Sequence, residues 1–154
     1  MSRTVDRAAL HAPFRSHRGR VVAWVGAVGQ AVALLVSAAI LPWSGPFTVG
    51  WYDRAGFVVV AALIGWGLYR LAEVGADPSE THLVVRNVLL TRRLEWAEVL
   101  GLRFDPGDAW VMLDVSDGDT LAVMAIQRAD GDRAVSEATR LATLIALHSR
   151  PLPA

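Results

Sequence analysis

Residues 21–69 contain only two charged side chains, Asp53 and Arg54, and this gap constrains the fold more than any other feature of the sequence. Two apolar runs, 21–41 and 55–72, fill most of it. As helices, each would reach roughly 30 Å, the thickness of the hydrocarbon core of a bilayer. The stretch between them, 42–54, is rich in proline, glycine and aromatic residues, which favour a turn at the membrane surface. The sequence therefore predicts a transmembrane hairpin over residues 21–72.

A cleaved signal peptide is the alternative interpretation of residues 1–41, because a basic leader precedes the apolar run and small residues lie near its end. The run is longer than the roughly 7–15 residues of a typical signal core, and a second apolar run follows almost at once. A retained span is therefore the favoured interpretation.

Positive charge is concentrated ahead of the first apolar run. Residues 1–20 hold five arginines against one aspartate, a net charge of +4, whereas the turn has no net charge. The positive-inside rule places this basic tail, 1–20, in the cytosol. Because two crossings return the chain to the same side, the sequence predicts a multi-pass protein of the inner cell membrane with both termini cytosolic.

The rest of the chain has the pattern of a small domain. Residues 73–80 are interpreted as a linker, 81–150 as a cytosolic domain and 151–154 as a tail. An Asp-Gly pair at Asp117 and Gly118, between alternating runs, predicts a β-hairpin. The predicted fold class is α+β, with a small antiparallel sheet or partial barrel and a C-terminal amphipathic helix. The predicted elements are strands at 81–88, 91–96, 99–104, 110–115 and 120–126, and a helix at 132–148.

Periodicity also predicts which side chains of these elements are buried. In the strand 91–96, Arg92, Leu94 and Trp96 share one face. The strand 99–104 is expected to point its apolar residues inward, and the helix carries one apolar stripe. The expected inward residues are Leu100, Leu102 and Phe104 of the strand, and Val135, Ala138, Leu141, Ala142, Leu144 and Ile145 of the helix.

The spacing Arg-Arg-x-x-Trp-x-x-Val, formed by Arg92, Arg93, Trp96 and Val99, together with the stretch 76–87, resembles the bacterial PH-like domain membrane proteins. Within them, the chain resembles the small actinobacterial type named after low-molecular-weight protein antigen 6. The resemblance covers nearly all of the chain, and it implies a PH-like fold in which Trp96 and Val99 form a buried turn. These motifs concern packing, so they imply no reaction.

Three arginines are the candidate lipid-binding residues: Arg86, Arg92 and Arg93. They flank the turn 87–90 between the first two predicted strands, and the corresponding loop of eukaryotic PH domains binds inositol phosphates. Anionic lipid headgroups are therefore a candidate ligand. A solvated face is the simpler interpretation, because residues 77–154 hold twelve acidic residues against eight arginines. This net charge of −4 also argues against nucleic acid as a partner.

No catalytic or metal-binding motif is present in the sequence. The four histidines are scattered, the chain has no cysteine, and no serine lies in a nucleophile elbow. The acidic residues around Gly118 lack the spacing of a calcium loop and fit a hairpin turn. We therefore expect no cofactor, no metal and no enzymatic activity, and a hydrolase is the least favoured interpretation.

The hypothesis favoured by the sequence is a non-enzymatic membrane protein whose cytosolic module binds a protein partner, in assembly or envelope signalling. Small residues in the spans, including Ala23, Ala27 and Gly65, would also permit self-association. The alternative is an auxiliary subunit of a transporter or channel. Gln30 within the first span and Arg70 at the end of the second motivate it, because polar residues in spans are often functional.

Overall fold

The computed structural model describes the backbone of residues 10–40 and 50–148, and the side chains of these residues except 38–40 and 53. The chain divides into two compact units. The helix unit comprises residues 19–72, and the β unit comprises residues up to 18 together with those from 73 onward. The β unit is therefore assembled from the two chain segments that flank the helix unit. Most of the predicted turn 42–54 and the whole predicted tail 151–154 lie outside the described residues.

Two long apolar helices, α1 (His17–Ile40) and α2 (Trp51–Ala72), occupy the positions of the predicted spans. They begin at residues 17 and 51, four residues earlier than the predicted 21 and 55. Both are long and apolar enough to cross a membrane. Only 6% of the apolar stretch of α1 and 0% of that of α2 is buried, so these helices do not form the core of a water-soluble domain.

Contacts between α1 and α2 show that the two helices run antiparallel. Gln30 Nε2 donates a hydrogen bond of 2.8 Å to the carbonyl oxygen of Ala61. One turn earlier in α1, Gly26 lies so close to Leu68 that an added Cβ would be 3.0 Å from the leucine side chain. The absence of a side chain at Gly26 therefore allows the two helices to approach each other. The side chain of Gln30 links α1 to the backbone of α2.

In the described residues, the β unit contains two three-stranded antiparallel sheets and a C-terminal helix. Short 3₁₀ turns at Trp96–Glu98 and Arg128–Asp130 connect its elements. The first sheet has the order β1-β2-β3 and the second β4-β5-β6. The elements are β1 (Gly75–Pro78), β2 (His82–Arg86), β3 (Thr91–Glu95), β4 (Val99–Arg103), β5 (Trp110–Val115), β6 (Thr120–Gln127) and α3 (Asp132–His148).

The structure differs from the predicted elements in the segment 73–80. A linker was expected there, but β1 lies in it and pairs with β2, from Gly75 opposite Arg86 to Pro78 opposite Leu83. The β unit therefore has six strands in its described residues, one more than the five that the sequence predicted. Proline and glycine in a four-residue strand hide the alternating pattern on which strand prediction depends.

The predicted hairpin at Asp117 and Gly118 is present as β5 and β6. Gly118 has a φ of +88°, a conformation that residues with a Cβ rarely adopt, so the glycine fits the turn. The expectation that Leu100 points inward is wrong, because 69% of this residue is exposed. A bulge between Val99 and Gly101 changes the alternation of β4 at that point.

One apolar core joins both sheets and α3. Helix α3 is amphipathic as predicted, with Ala138, Leu141 and Leu144 buried, but the predicted Val135 and Ala142 are exposed and Ala134 is buried instead. Trp96 and Val99 are buried, as the resemblance to PH-like proteins implied. The buried core residues are Phe14, Ala76, Leu83, Val85, Leu94, Trp96, Val99, Val111, Leu113, Val115, Leu121, Val123, Ala125, Ile126, Ala134, Ala138, Leu141 and Leu144.

The N-terminal segment (residues 10–16) is part of this core, although the sequence analysis assigned it to a basic tail. Phe14 is 1% exposed and forms an antiparallel bridge with Ala76, with N–O distances of 2.8 and 3.1 Å. The Arg140 guanidinium of α3 lies 3.8 Å from the centre of the Phe14 ring and donates to the carbonyl oxygens of Leu10 and Ala12. The segment is therefore held by both β1 and α3.

Candidate functional site

The three predicted lipid-binding arginines lie on the hairpin formed by β2 and β3. Its turn is closed by a hydrogen bond of 2.8 Å from the Asn87 N–H to the carbonyl oxygen of Leu90. Because β1 precedes β2, this turn joins the second and third strands of the sheet. The sequence placed the three arginines beside the loop between the first two strands, the loop that binds inositol phosphates in eukaryotic PH domains. In the structure, the first two strands are β1 and β2, and the loop between them is 79–81.

Arg86, at the end of β2, forms an ion pair with Asp77 of β1. Asp77 also pairs with Arg15 of the N-terminal segment at 2.8 Å. The Arg15 guanidinium lies against the backbone of Gly75, where an added Cβ would overlap it. One carboxylate thus joins two arginines from distant parts of the sequence, and Gly75 leaves room for this arrangement.

Arg92 of β3 contacts the turn of the β5–β6 hairpin. Its guanidinium pairs with Asp117 and lies 3.3 Å from a carboxylate oxygen of Asp119. The backbone N–H of Asp119 and the Arg92 guanidinium together lower the pKa of Asp117 below its ordinary value. The same ion pair raises the pKa of Arg92, so both groups are charged at neutral pH.

The three arginines do not converge on one surface. Paired residues of an antiparallel sheet point to the same side. Arg92 is opposite the buried Val85, whereas Arg93 is opposite Val84 and lies on the outward face, exposed, 3.2 Å from His82 Nδ1. Two of the three arginines are paired with aspartates, which reduces the positive charge that they offer to an anionic ligand.

Asn87 bridges the two sheets, a role that the sequence did not predict. Its side-chain amide donates a hydrogen bond of 2.7 Å to the carbonyl oxygen of Ala122 and accepts one of 3.2 Å from the N–H of Met124. The amide therefore pairs with β6 as the backbone of a neighbouring strand would. No local pattern of residues signals this role, because both partners are 35 or more residues away.

An aromatic cluster joins the N-terminal segment to the end of α3. The His148 ring stacks on Trp96 with centres 4.8 Å apart, and the His11 ring meets His148 edge-on at 5.5 Å. Trp96 Nε1 donates a hydrogen bond of 2.9 Å to the carbonyl oxygen of Ser79. These contacts give His11 and His148 a packing role, and residues 10–40 and 50–148 contain no cluster of metal-ligating side chains.

Comparisons with known proteins agree with this architecture. Residues 72–143 match the family model of the bacterial PH domain. This segment is therefore similar to bacterial PH domains. Uncharacterized proteins of Mycobacterium bovis and Mycobacterium tuberculosis are 37% identical over 91 residues, which is 59% of this chain and 56% of each relative. The chain thus spans about half the length of the curated relatives it matches, and no solved structure matches it.

The PH domain of this chain includes residues beyond the matched segment. The family match begins at residue 72, yet Phe14 and His11 of the N-terminal segment pack on the domain. At the other end, α3 continues past residue 143 to His148, which supplies the ring that stacks on Trp96. A fragment starting at residue 72 would therefore lack part of the core.

Proposed function

We propose that the chain is a non-enzymatic membrane protein that crosses the inner membrane twice and presents its PH domain in the cytosol to a protein partner, in assembly or envelope signalling. The observation that carries the proposal is the exposed apolar surface of α1 and α2. Most of the large apolar side chains of both helices are exposed, among them Trp24, Val25, Leu35, Val58 and Leu63. A long helix whose apolar side chains are mostly unburied favours lipid as its solvent.

The composition of the β unit supports a hairpin with both ends on one side. Phe14, three residues before α1, pairs with Ala76, four residues after α2. If the two helices cross a bilayer, segments that pair with each other must lie on the same side of it, which requires an even number of crossings. The net charge of +4 in residues 1–20 then favours the cytosolic side.

A protein partner is favoured over a lipid ligand because of the charges and the free strand edges. Arg86 and Arg92 are engaged by aspartates, and residues 77–154 carry a net charge of −4. Within the described residues, β3 pairs with β2 alone and β4 with β5 alone, so each has an outer edge to which a strand can be added. Anionic lipid headgroups, approached by the exposed Arg93, are the second candidate ligand.

The transporter-subunit alternative loses part of its basis. Gln30 donates its amide hydrogen to the Ala61 carbonyl oxygen inside the helix pair. Arg70 lies 6.0 Å from the centre of the Trp66 ring one turn away, in the last turn of α2. These contacts give both polar residues a structural role within the helix unit.

The topology is tested with single cysteines, which the cysteine-free chain makes unambiguous. Full-length Ser44→Cys and Leu100→Cys proteins are treated in intact cells with a maleimide that does not cross the inner membrane. Labelling of Ser44→Cys in intact cells, and of Leu100→Cys only after lysis, is the expected result. Labelling of Leu100→Cys in intact cells, or recovery of the protein in the soluble fraction without detergent, would contradict the proposal.

The choice between protein and lipid is tested with a photoreactive amino acid in the full-length protein in cells. Position 93, on the outward face of β3, is compared with position 133, an exposed site on α3 that serves as the matched control. A protein adduct that forms from position 93 and not from position 133 is expected. Adducts to lipid alone from position 93 would reverse the order of the two ligands.

A further inference from the structure

The tip of the β2–β3 hairpin carries two adjacent exposed leucines. Leu89 is 78% exposed and Leu90 67% exposed, whereas the inward residues of the same hairpin, Leu83 and Leu94, are almost completely buried. The tight hydrogen bond between Asn87 and Leu90 fixes the turn, so the two side chains are presented on a defined loop. Exposed apolar side chains at a fixed tip are typical of an interaction surface.

The register of the first sheet determines which end of it carries this tip. Gly75 is opposite Arg86 in β2, and Arg86 is opposite Thr91 in β3. The turn 87–90 therefore projects from the same end of the sheet at which the chain arrives from α2. Only Glu73 and Val74 separate Gly75 from the end of α2, so Gly75 lies within about 11 Å, three Cα steps, of Ala72.

We infer that Leu89 and Leu90 insert into the interfacial region of the bilayer as a further membrane contact of the PH domain. The inference rests on the proposed crossing by α1 and α2. If α2 ends at the cytosolic interface, the short connection keeps the leucine tip within reach of the same lipid leaflet. Apolar side chains transferred there from water gain the free energy of burial.

The charges near the tip indicate an apolar contact that does not depend on headgroup recognition. Arg86 is paired with Asp77, and Arg92 is paired with Asp117 and Asp119 of the neighbouring hairpin turn. Arg93 points to the outward face beside His82. The paired charges nearly cancel, so anionic lipid adds little attraction and the leucines themselves supply the contact.

The test uses full-length single-cysteine proteins in vesicles of phosphatidylcholine with phosphatidylglycerol, each carrying a nitroxide label. Leu89→Cys reports on the tip. Leu100→Cys is the matched control, a leucine of similar exposure on β4, which follows the opposite end of β3. Val58→Cys, exposed on α2, reports on the membrane crossing itself. Accessibility to oxygen, which concentrates in lipid, is compared with accessibility to a water-soluble nickel chelate.

The expected result is a several-fold higher ratio of oxygen to nickel accessibility at Leu89→Cys than at Leu100→Cys. Equal ratios at these two positions, with a lipid-like ratio at Val58→Cys, would overturn the tip contact and leave the proposed crossing standing. A water-like ratio at Val58→Cys would overturn the crossing, and the tip contact with it. Protection of Leu89→Cys from both reagents would assign the tip to a protein contact and overturn the inference.

A second arm separates apolar insertion from attraction to headgroups. The Leu89→Cys measurement is repeated in vesicles of phosphatidylcholine alone and at high salt. An unchanged ratio supports insertion by the leucines, since salt and lipid charge act on electrostatic attraction. A ratio that falls to the value of the Leu100→Cys control would overturn apolar insertion in favour of headgroup binding.

Discussion

Three long helices in the described part of the chain expose their apolar side chains to different extents. Helices α1 and α2, of 24 and 22 residues, expose most of their large apolar side chains, whereas α3, of 17 residues, buries Ala134, Ala138, Leu141 and Leu144 and exposes mainly polar residues elsewhere. Helical geometry is common to all three. The distribution of polar residues around each helix, and not helical propensity, therefore decides how much of its apolar surface is buried within its own unit.

The largest effect is expected from deleting one phenylalanine side chain in each unit. Phe14→Ala removes a buried ring from the PH-domain core and should lower the free energy of unfolding of the PH domain by about 3–5 kcal/mol. Phe57→Ala removes a half-exposed ring from α2 and should change it by no more than about 0.5 kcal/mol. Hydrogen exchange of β5 amides in the full-length protein in detergent measures both.

Equal losses of stability from Phe14→Ala and Phe57→Ala would mean that the two units unfold together, contrary to this prediction. Unchanged protection in Phe14→Ala would show that the N-terminal segment is dispensable for the PH domain. The amide of Ala76 offers a further check, since its hydrogen bond to Phe14 should lose protection before the β5 amides do.

The sequence predicted those parts of the fold that depend on neighbouring residues. The two apolar helices, the β5–β6 hairpin and α3 all follow from short-range periodicity or turn chemistry. The integration of residues 10–16 into the PH domain did not, because Phe14 meets Ala76 and Arg140, which are 62 and 126 positions away in the sequence. A basic tail and a packed segment look alike until those partners are known.

Two amide side chains bond to backbone carbonyl groups, one in each unit, and give the next contrast. Asn87→Leu removes both of its hydrogen bonds to β6 and should destabilise the PH domain by about 2 kcal/mol, because two backbone groups lose partners. Asn87→Asp keeps an acceptor for the Met124 N–H and is the matched variant. We expect Met124 to retain more exchange protection in Asn87→Asp than in Asn87→Leu; equal protection would contradict the bridging role.

The candidate site shows the same division between local and distant information. Arg86, Arg92 and Arg93 were recognised as a cluster because they are close in sequence. Their partners Asp77, Asp117 and Asp119 come from other strands and turns, so the pairing that offsets their charge could not be predicted. The opposite directions of Arg92 and Arg93 do follow from the alternation of a strand.

The side-chain amide of Gln30 in the helix unit should contribute less to stability than that of Asn87 in the PH domain. Gln30→Met keeps the side-chain length and removes the donor to the Ala61 carbonyl oxygen, so the helix pair should lose about 0.6 kcal/mol. Leu35→Met, at an exposed position of α1, is the control. Unfolding in mixed detergent micelles measures both. A loss in Gln30→Met as large as that in Asn87→Leu would contradict the expectation that the helix pair depends little on a single hydrogen bond.

The smallest effect concerns the exposed ion pair between Arg92 and Asp117, and it should be confined to the PH domain. Because the pKa of Asp117 is lowered in the folded state, this carboxylate contributes stability above its ordinary, unfolded-state pKa, and the contribution is lost as the pH falls through the folded value. Asp117→Asn should therefore lower stability slightly at neutral pH and flatten the decline of stability in acid.

Glu80→Gln, at an exposed carboxyl in the turn before β2, is the control for this prediction. Unfolding of the PH domain followed from about pH 7 to about pH 2 tests this, and an acid limb that is equally steep in Asp117→Asn and the unmodified protein would assign the acid sensitivity to other groups.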